Sequence, residues 1–554
     1  MRLLDLARGR YALAALAYAL ITAAIFHNLL PVMWTRIYSD IGDPLLNASI
    51  LAWNASHVPL TAAWWNYPSF APLSGITAFT EHLLGAYPLT TPLIWATGNA
   101  VLAYNVLLLI CFPLNALAMF ALARDLTDSD AGAFVAGLAF AFAPYQASQV
   151  AHVQMLMAFG MPLALLGLHQ YVEHGSRRGI ALFIVGWLAV ALSNGYMLVF
   201  FPVCVALWCV WFARDKPMRL VPIAMAAVVV IIAVAPLFWG YRVRQSAYSL
   251  ARSYDEIRSY AADVRSVLAV THQNVLWRRW LNTTFIETSL FPGATILVLT
   301  AIGVAPRLRG AWRRRDRIVF YAGGAAAMWL LALGPEPTWA GARVGAYGPY
   351  RLLLLLPGST SVRVPARAFE LAVLCLAVTA GGGAAMLMQR FKWRWVGIAL
   401  AAMVLAEGWF SDATPEVPHP VRAGVIPSGA IVLDLPIGAT ADNVPAEYLA
   451  VMGGYRTING YSGYSPPHFA ALRGALASHY SGAFDAFRQY QDLYVIVRPA
   501  VDTPFLRWLE EQNGAERIAT TPAWRLYRLP RLEDHPFVSL PLGLPARGRP
   551  FHLP

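Results

Sequence analysis

Long apolar runs alternate with short basic stretches over residues 1–410, and this pattern predicts membrane-spanning helices. The runs YALAALAYALITAAIF and VPIAMAAVVVIIAVAPLFW are long enough to satisfy every backbone hydrogen bond internally as helices within hydrocarbon. The first run is too long for a removable signal peptide, and no small-residue cleavage site follows it. The predicted spans are 11–33, 101–123, 131–146, 155–172, 180–194, 196–213, 220–240, 289–305, 318–333, 368–389 and 396–410.

The basic residues between the spans predict their orientation. Clusters occur at Arg2/Arg8/Arg10, Arg124, Arg177/Arg178, Arg214/Lys216/Arg219, Arg307 to Arg317 and Arg390/Lys392/Arg394. If all are cytoplasmic, an even number of crossings separates each cluster from the next. The Pro-interrupted stretch LLGAYPLTTPLIWATGN would break this parity, so we predict a re-entrant or interfacial helix there. Eleven crossings follow, with a cytoplasmic N-terminus and an extracytoplasmic C-terminus.

This topology divides the chain into a transmembrane domain, 1–410, and an extracytoplasmic α/β domain, 411–554. The longer outer segments are 34–100, 145–154, 241–288 and 334–367. In the C-terminal domain AIVLDLP, DLYVIVRPA and AWRLYRL predict strands, and PPHFAALRGALASHY predicts a helix. Long, chemically diverse loops carry function, so the outer face is the predicted working face.

Composition supports a polytopic α-helical membrane protein. The 554 residues are 58% hydrophobic and only 13% charged, with a mean hydropathy of +0.50. The net charge of +12 lies in short anchoring clusters, so a nucleic-acid partner is not predicted. All four cysteines lie in apolar runs, which argues against a disulfide framework or a cysteine metal site. A phosphate-binding loop of the GxxxxGK[ST] kind is absent, which argues against direct use of ATP.

Two carboxylates, Asp40 and Asp43, follow the first span in SDIGDPLLNASILAWN. One interpretation is structural: Asp43 is the N-cap, and Pro44 the first residue, of an amphipathic helix over 45–58. The other is chemical: one carboxylate is a general base or a metal ligand at the membrane surface. The local sequence leaves both interpretations open.

The chain resembles the GT-C superfamily of integral membrane glycosyltransferases. The resemblance rests on the first span, the acidic residue after it, the juxtamembrane helices and the Pro-rich YPLTTPLIW. The stretches GDPLLNASILAWN, FTEHLLG, LAYNVLLLICFPLNALAMFALARDL and AFAFAPYQASQVAHVQM are similar to an uncharacterised bacterial subgroup of that superfamily. The similarity covers residues 1 to 215 well and is weakest in the C-terminal domain. Members use polyprenyl-phosphate-linked sugars and include protein mannosyltransferases and the lipid A aminoarabinose transferase.

The resemblance implies that an acidic residue of the first outer loop is catalytic, here Asp40 or Asp43, of which Asp43 is favoured. Relatives often carry a second acid in the second outer loop, where this chain has His152 and Gln154. Glu81 is a candidate for the missing charge, and a divalent cation, Mg or Mn, held by Asp43, Glu81 and His152 is a candidate cofactor. Alternatively, His152 bonds to backbone at a helix end, and Glu81 offsets a helix dipole.

Outward-facing arginines are the candidate ligands of the donor phosphate. Arg258 and Arg265 belong to the loop 241–288, in the stretch YDEIRSYAADVRSVL, whose periodicity predicts a helix along the membrane. Arg363 and Arg367 stand in VRVPARAFE, which the resemblance includes. A guanidinium pairs with phosphate in a bidentate manner. The alternatives are contacts with anionic headgroups, local pairs with neighbouring acids, and snorkelling anchors.

Four further residues are candidates for substrate binding. Glu287 stands at the mouth of a span, where an ionisable residue is a functional candidate, and Gln154 lies in the second outer loop. Tyr461 and Tyr464, in the Gly-rich stretch MGGYRTINGYSGYSPPHF, offer flat faces for stacking on sugars or serve only as loop structure.

These features predict transfer of a sugar from a polyprenyl-phosphate donor to a glycan, lipid or protein acceptor. The reaction would take place at the outer face of the bacterial cytoplasmic membrane, with membrane lipids around the protein. Two other classes remain open. A transporter or flippase of a lipid-linked glycan would need ionisable residues deep within the spans. A non-catalytic envelope-assembly protein would need neither Asp40 nor Asp43.

Overall fold

The computed structural model describes residues 2–283, 286–310, 315–345, 347–356, 358–391, 394–419, 425–489, 491–512 and 514–532. Part of the predicted basic cluster at 307–317, Lys392 and the last residues of the predicted C-terminal domain lie outside these ranges.

Most described residues are helical. The α-helices are α1 Arg2–Ile25, α2 Asp43–Ser56, α3 Ala62–Trp65, α4 Tyr87–Thr97, α5 Ala100–Thr127, α6 Asp130–Ala141, α7 Pro144–Ala147, α8 Val153–Leu156, α9 Gly160–His174, α10 Arg177–Ala191, α11 Gly195–Phe212, α12 Pro217–Ala247, α13 Tyr254–Ser259, α14 Ala294–Arg309, α15 Arg317–Ala332, α16 Tyr350–Leu354, α17 Phe369–Phe391, α18 Arg394–Gly408, α19 Thr440–Gly453, α20 Pro467–Ala477, α21 Asp485–Arg488 and α22 Thr503–Glu510.

The strands form two short ladders and one larger sheet. They are β1 Ala269–Val270, β2 Asn282–Thr283, β3 Thr338–Trp339, β4 Ala342–Arg343, β5 Ile431–Leu435, β6 Arg456–Thr457, β7 Leu493–Val497, β8 Glu516–Thr520 and β9 Arg525–Leu529. The larger sheet has the order β6-β5-β7-β9-β8. Strand β5 runs parallel to β6 and β7, whereas β9 pairs antiparallel with β7 and β8. The strands and the helix predicted in the C-terminal domain are confirmed as β5, β7, β9 and α20.

Each predicted span overlaps an α-helix, although the bounds differ: α1 ends at Ile25, before the predicted end at 33, and the predicted span 131–146 is divided between α6 and α7. Among the described residues, five helical segments are long and apolar enough to cross a membrane: Ala100–Thr127, Val153–His174, Gly195–Phe212, Pro217–Ala247 and Pro365–Phe391. The protein is therefore a multi-pass α-helical membrane protein with a small C-terminal sheet region. The count of eleven crossings stays a prediction, because several of the other helices are shorter.

One predicted helix is wrong, because two separate elements take its place in the structure. The periodicity of YDEIRSYAADVRSVL indicates a single helix, but α13 ends at Ser259 and a 3-10 turn occupies Val264–Leu268. The carboxylate of Asp263 accepts a hydrogen bond from the backbone N–H of Arg265, and the N–H of Ala262 is bonded to the carbonyl of Ala332. These capping and tertiary bonds replace the helical ones.

Three consecutive glycines bring three helices against α17. A side chain at Gly381 would meet Ala136 of α6, one at Gly382 would meet Ile318 of α15, and one at Gly383 would meet backbone of α14. Successive residues of an α-helix point about 100° apart, so a run of three serves three neighbours. Small residues at these contacts allow the close backbone approach that is common between membrane helices.

By its internal contacts the chain forms two compact units. The first, here called the helical unit, comprises Met1–Ser39, Leu83–Thr90 and Leu102–Thr414. The second, here called the sheet unit, comprises Asp40–His82, Thr91–Val101 and Pro415–Pro554. The junction at Thr414 lies close to the predicted domain boundary, but most of the first outer loop belongs to the sheet unit.

Backbone hydrogen bonds explain why the first outer loop belongs to the sheet unit. The N–H of Thr457, in β6, donates to the carbonyl of Pro68 at 2.8 Å, and the N–H of Ala71 donates to the carbonyl of Thr457 at 2.9 Å. Residues 68–71 thus cover the edge of the sheet beside β6, which would otherwise present unpaired backbone groups. Helix α2 packs against α19 in the same unit.

Candidate functional site

A buried ion pair lies at one end of the helical unit. Arg367 donates from Nε to one oxygen of Glu287 at 3.1 Å and from Nη2 to the other at 2.6 Å. The side chains are only 5% and 6% exposed. Burial alone would raise the pKa of Glu287, but the charge of Arg367 in particular holds this pKa below its usual value. Glu287 is therefore a carboxylate at neutral pH.

Short turns that precede long helices position both partners. Glu287 lies in the 3-10 turn Ile286–Thr288, ahead of α14, and Arg367 lies in the 3-10 turn Pro365–Ala368, directly before α17. Pro365 occupies the first turn of the latter, where its missing N–H costs nothing. The guanidinium of Arg367 also stacks 4.4 Å from the ring centroid of Tyr196, at the start of α11.

His152 and Arg363 complete what we call the arginine–glutamate cluster: His152, Glu287, Arg363 and Arg367. Nε2 of His152 lies 3.8 Å from Oε1 of Glu287, and His152 is buried. Arg363 stacks 4.7 Å from the ring centroid of Tyr260, and its charge further lowers the pKa of Glu287. Its buried Nε has no hydrogen-bond partner among the described residues. Two guanidinium groups face one carboxylate here, so the cluster carries excess positive charge and suits an anion.

The other predicted ligands of the helical unit are placed differently. Arg258 is 52% exposed and lies 3.2 Å from Asp255 and 3.7 Å from Glu336. Arg265 is 54% exposed and lies 3.6 Å from Asp263. The pairs with Asp255 and Asp263 are the local pairs that the sequence left open as an alternative to phosphate binding, whereas Glu336 belongs to a distant segment of the chain.

Gln154 is buried in α8, and its backbone carbonyl accepts a hydrogen bond from Asn194 at 3.0 Å. This bond ties the segment that follows His152 to the N-cap of α11, since Asn194 also caps that helix.

The predicted base lies in the sheet unit. Helix α2 begins at Asp43 and its N-cap is Gly42, so the predicted cap is displaced by one residue and Asp43 is acidic charge in the first turn. The exposed Asp40 accepts a hydrogen bond from the N–H of Gly42 at 2.6 Å, which holds the turn before α2. Glu81 is half-buried, and burial lowers the pKa of its neighbour His82 to about 4.

Tyr461 and Tyr464 lie partly exposed in the sheet unit, beside a carboxylate that the sequence did not single out. The N–H of Tyr461 donates to Oε1 of Glu447 at 2.8 Å, and Tyr464 packs edge-on to Phe79 of the first outer loop, 6.3 Å between centroids. Glu447 is fully buried on α19, and this burial raises its pKa to about 8. A hydrogen bond from the side chain of Ser69, in the first outer loop, acts against this rise in pKa. The only sequence signal was a lone acid in the apolar stretch NVPAEYLAV.

The structure therefore gathers His152, Glu287, Arg363 and Arg367, whereas Arg258 and Arg265 lie with local acids. Within the described ranges, His, Cys, Asp and Glu side chains form no group of three or more that could hold a metal ion. The residues present do not form a ready-made cation site, and the divalent cation stays a prediction.

Two buried carboxylates in the apolar helices were also missed. Glu370 lies in the first turn of α17 and accepts a hydrogen bond from Gln146 at 3.1 Å. Glu407 lies near the end of α18. It accepts one hydrogen bond from the hydroxyl of Thr295 at 2.6 Å and another from the backbone N–H of Thr295 at 3.0 Å, and these bonds cap α14. Both lie at helix ends and have hydrogen-bond donors, so they are not a path of charges through the spans.

No family model and no curated protein matches the sequence. Solved structures do match its fold. The arabinofuranosyltransferase AftD from Mycobacteria is 14% identical with a TM-score of 0.59, over 94% of this chain and 41% of AftD. The oligosaccharyltransferase AglB from Archaeoglobus fulgidus, solved with an inhibitory peptide and a dolichol-phosphate, is 13% identical with a TM-score of 0.51, over 88% of this chain and 69% of AglB.

ArnT from Cupriavidus metallidurans is 10% identical with a TM-score of 0.49, over 94% of this chain and 98% of ArnT. At these identities a structural likeness establishes a fold and not an activity. The fold assignment rests on AftD and AglB, the two structures with the higher TM-scores. This chain has the fold of AftD and AglB.

Proposed function

We propose that this protein is a membrane glycosyltransferase that moves a sugar from a polyprenyl-phosphate donor to an acceptor of the cell envelope. Transfer would take place at the extracytoplasmic face of the bacterial cytoplasmic membrane. The observation that carries the proposal is the excess positive charge of the arginine–glutamate cluster in a chain with the fold of AftD and AglB. AglB was solved with a dolichol-phosphate, and a phosphate is the anion that such a cluster would take.

Within the cluster, Arg363 is the better donor to a phosphate. Nε and Nη2 of Arg367 are both directed at Glu287, whereas the Nε of Arg363 has no partner among the described residues. Glu287 holds Arg367 in place, and Arg367 adds its positive field. The leaving phosphate gains negative charge as the glycosidic bond breaks, so a fixed positive field lowers the barrier.

Asp43 is the proposed general base, which would take the proton of the acceptor hydroxyl. Asp43 is the first residue of α2, where the partial positive charge of the helix N-terminus attracts a negatively charged side chain. Tyr461 and Tyr464, in the same unit as Asp43, are proposed to stack on the sugar or the acceptor.

The test is a transfer assay. The purified protein is reconstituted with polyprenyl-phosphate sugars and a membrane extract, and movement of a radiolabelled sugar is followed. Asp43→Asn keeps the shape but removes the base, so we expect activity to fall by about 10²-fold or more. Arg363→Gln should chiefly raise the KM for the donor.

Asp40→Asn is the matched control, because Asp40 is three residues away and its carboxylate is engaged by its own turn. It should retain most of the activity. Full activity of the Asp43 variant would refute the base. Failure of the wild-type protein with every polyprenyl-phosphate sugar, together with lipid translocation in vesicles, would favour the transporter.

A further inference from the structure

A second charged site lies at the opposite end of the helical unit from the arginine–glutamate cluster. It is a cavity of about 250 Å³ lined by His169, Val172, Glu173, Trp208, Phe212, Lys216, Arg315 and Arg317. Helix α11 runs from Tyr196, beside the cluster, to Phe212, beside the cavity, and its 18 residues span about 27 Å. The basic residues around the cavity place it at the predicted cytoplasmic face.

An ordered aromatic wall forms one side of this cavity. The indole N–H of Trp208 donates to Nε2 of the buried His169 at 3.0 Å. That nitrogen is therefore an acceptor, and Nδ1 carries the proton, 3.8 Å from Glu173. The ring of Phe212 packs 5.0 Å from that of His169. Because these rings hold one another in place, the wall is preorganised.

One of the described cations that line the cavity forms no ion pair. Arg317 pairs with both oxygens of Glu173 at 2.5 Å, and Arg315 pairs with Asp215. Lys216 donates to the carbonyl of Val172 at 3.1 Å but forms no ion pair with any described acidic residue. Among the described residues that line the cavity, Lys216, Arg315 and Arg317 are cations and Glu173 is a carboxylate, and Lys216 is the cation that has no acidic partner.

Lys216 is also unusual in composition, because the chain has only two lysines among its 42 basic residues. It precedes α12 as the N-cap residue, in non-helical conformation, so its side chain starts from the rim of the cavity. An ammonium is a compact charge with three donors, of which the Val172 carbonyl uses one. Two donors remain for a ligand.

We infer that this cavity binds the phosphate group of an anionic ligand, with Lys216 as the principal charge and Trp208 in the wall beside it. The cavity is smaller than a typical pocket for a drug-sized molecule, so it suits a phosphate headgroup or a small phosphate compound rather than a whole nucleotide. The ligand could come from an anionic phospholipid of the adjacent leaflet or from free phosphate in solution. Both sources share the same chemistry.

Bound phosphate would stabilise the helix ends. The lining residues come from the last turns of α9 and α11, from the residue before α12 and from the start of α15. A ligand that binds only the folded state raises the unfolding temperature. This readout does not depend on the proposed transfer activity.

The test is thermal unfolding of the full-length protein in a neutral detergent. Three probes are added separately: dihexanoyl-phosphatidylglycerol, dihexanoyl-phosphatidylcholine and inorganic phosphate. We expect the Tm to rise with phosphatidylglycerol but not with phosphatidylcholine. A rise with inorganic phosphate as well would identify a free phosphate compound as a competent ligand, whereas a rise with the anionic lipid alone would identify the lipid.

Lys216→Gln should weaken binding by about tenfold or more, because it removes a charged hydrogen-bond donor. Arg309→Gln is the matched control, since Arg309 is an exposed cation at the same predicted face but does not line the cavity. Native mass spectrometry of lipid adducts on the wild-type protein gives a second measurement if Lys216→Gln does not fold. Equal Tm shifts in the wild type and Lys216→Gln, or equal retention of both lipids, would overturn the inference.

Discussion

The pKa of an individual carboxylate in this chain depends on both its burial and its partner. Glu287 and Glu447 are both buried, yet the pKa of the first lies below and that of the second above the usual range. The difference is the partner: Glu287 faces guanidinium groups, whereas Glu447 accepts the N–H of Tyr461. A buried carboxylate without an opposite charge favours its protonated form.

The Glu287–Arg367 pair gives a prediction about stability. Glu287→Ala leaves a guanidinium that is 5% exposed without its partner, so we expect the unfolding free energy to fall by about 3–5 kcal/mol. Chemical denaturation in detergent would measure this change. Arg265→Gln, at an exposed pair, is the control and should cost less than about 1 kcal/mol. Equal effects of the two substitutions would contradict the importance of burial.

Glu447 gives a prediction about pH. Its pKa is about 8 in the folded protein against 4.5 in a model compound, so the folded state holds the proton more tightly. The stabilisation is complete below about pH 4.5 and declines as the pH rises through about 8. Hydrogen exchange in α19, followed across this window, should show growing exposure in the wild type. Glu447→Gln should flatten the profile, and an unchanged slope would exclude Glu447 as its source.

At the scale of elements, the glycine run of α17 decides how closely the helices approach. A Cβ at Gly383 would overlap the backbone carbonyl of Leu299, which cannot move without α14. A Cβ at Gly382 would meet the end of the Ile318 side chain, which can change rotamer. The need for a glycine at each position therefore depends on whether the atom opposite it is fixed backbone or a side chain that can move.

We therefore expect Gly383→Ala to destabilise the helical unit by about 1–3 kcal/mol, the usual cost of overpacking. Gly382→Ala, the adjacent control, should change stability by much less. The measurement is the thermal unfolding midpoint of both variants in the same detergent. Similar losses in the two variants would show that the contact with Leu299 is not the limiting one.

At the scale of the whole molecule, the sheet unit combines two segments that are distant along the chain. Phe70 of the first outer loop is buried, packs edge-on to Phe469 at 5.3 Å, and would be overlapped by a Cβ at Gly460. The loop that carries Asp43 thus depends on the C-terminal domain for its order.

Gly460→Ala should accordingly loosen residues 68–71 from β6. Faster amide exchange at Phe70 and Ala71, whose N–H groups donate to Asn459 and Thr457, would report the change. Gly474→Ala, where an added Cβ meets nothing within 4 Å, should leave exchange unaltered. Unchanged exchange in the Gly460 variant would mean that the ring of Phe70 can move aside.

The predicted topology has a direct test. Single cysteines are introduced as Asp43→Cys, Arg363→Cys and Arg178→Cys after replacement of the native cysteines, and intact cells are treated with a membrane-impermeant thiol reagent. The first two should react, and the third should react only after lysis. If either Asp43→Cys or Arg363→Cys is protected in intact cells and reacts only after lysis, it lies on the inner face, and the proposed surface reaction is refuted.

The sequence by itself determined the helical trunk and the strands β5, β7 and β9, and its resemblance to the GT-C superfamily implied the fold. The length of an apolar run, the basic residues beside it and a short β-rich run are local properties. Each can be recognised in the sequence without knowledge of which elements it contacts in the fold. It also predicted Glu287, Arg363, Arg367 and His152 as site residues, and the structure brings these four together. Their roles in chemistry stay predictions.

Only the tertiary structure decided which groups meet. It paired Arg367 with Glu287 across 80 residues, joined residues 68–71 to β6, and buried Glu447 beside Ser69 of the first outer loop. It also interrupted the helix predicted after Tyr254, where hydrogen bonds donated to Asp263 and Ala332 replaced helical ones. Contacts of this kind join distant positions, and hydrophobic periodicity, which compares a residue with its close neighbours only, contains no information about them.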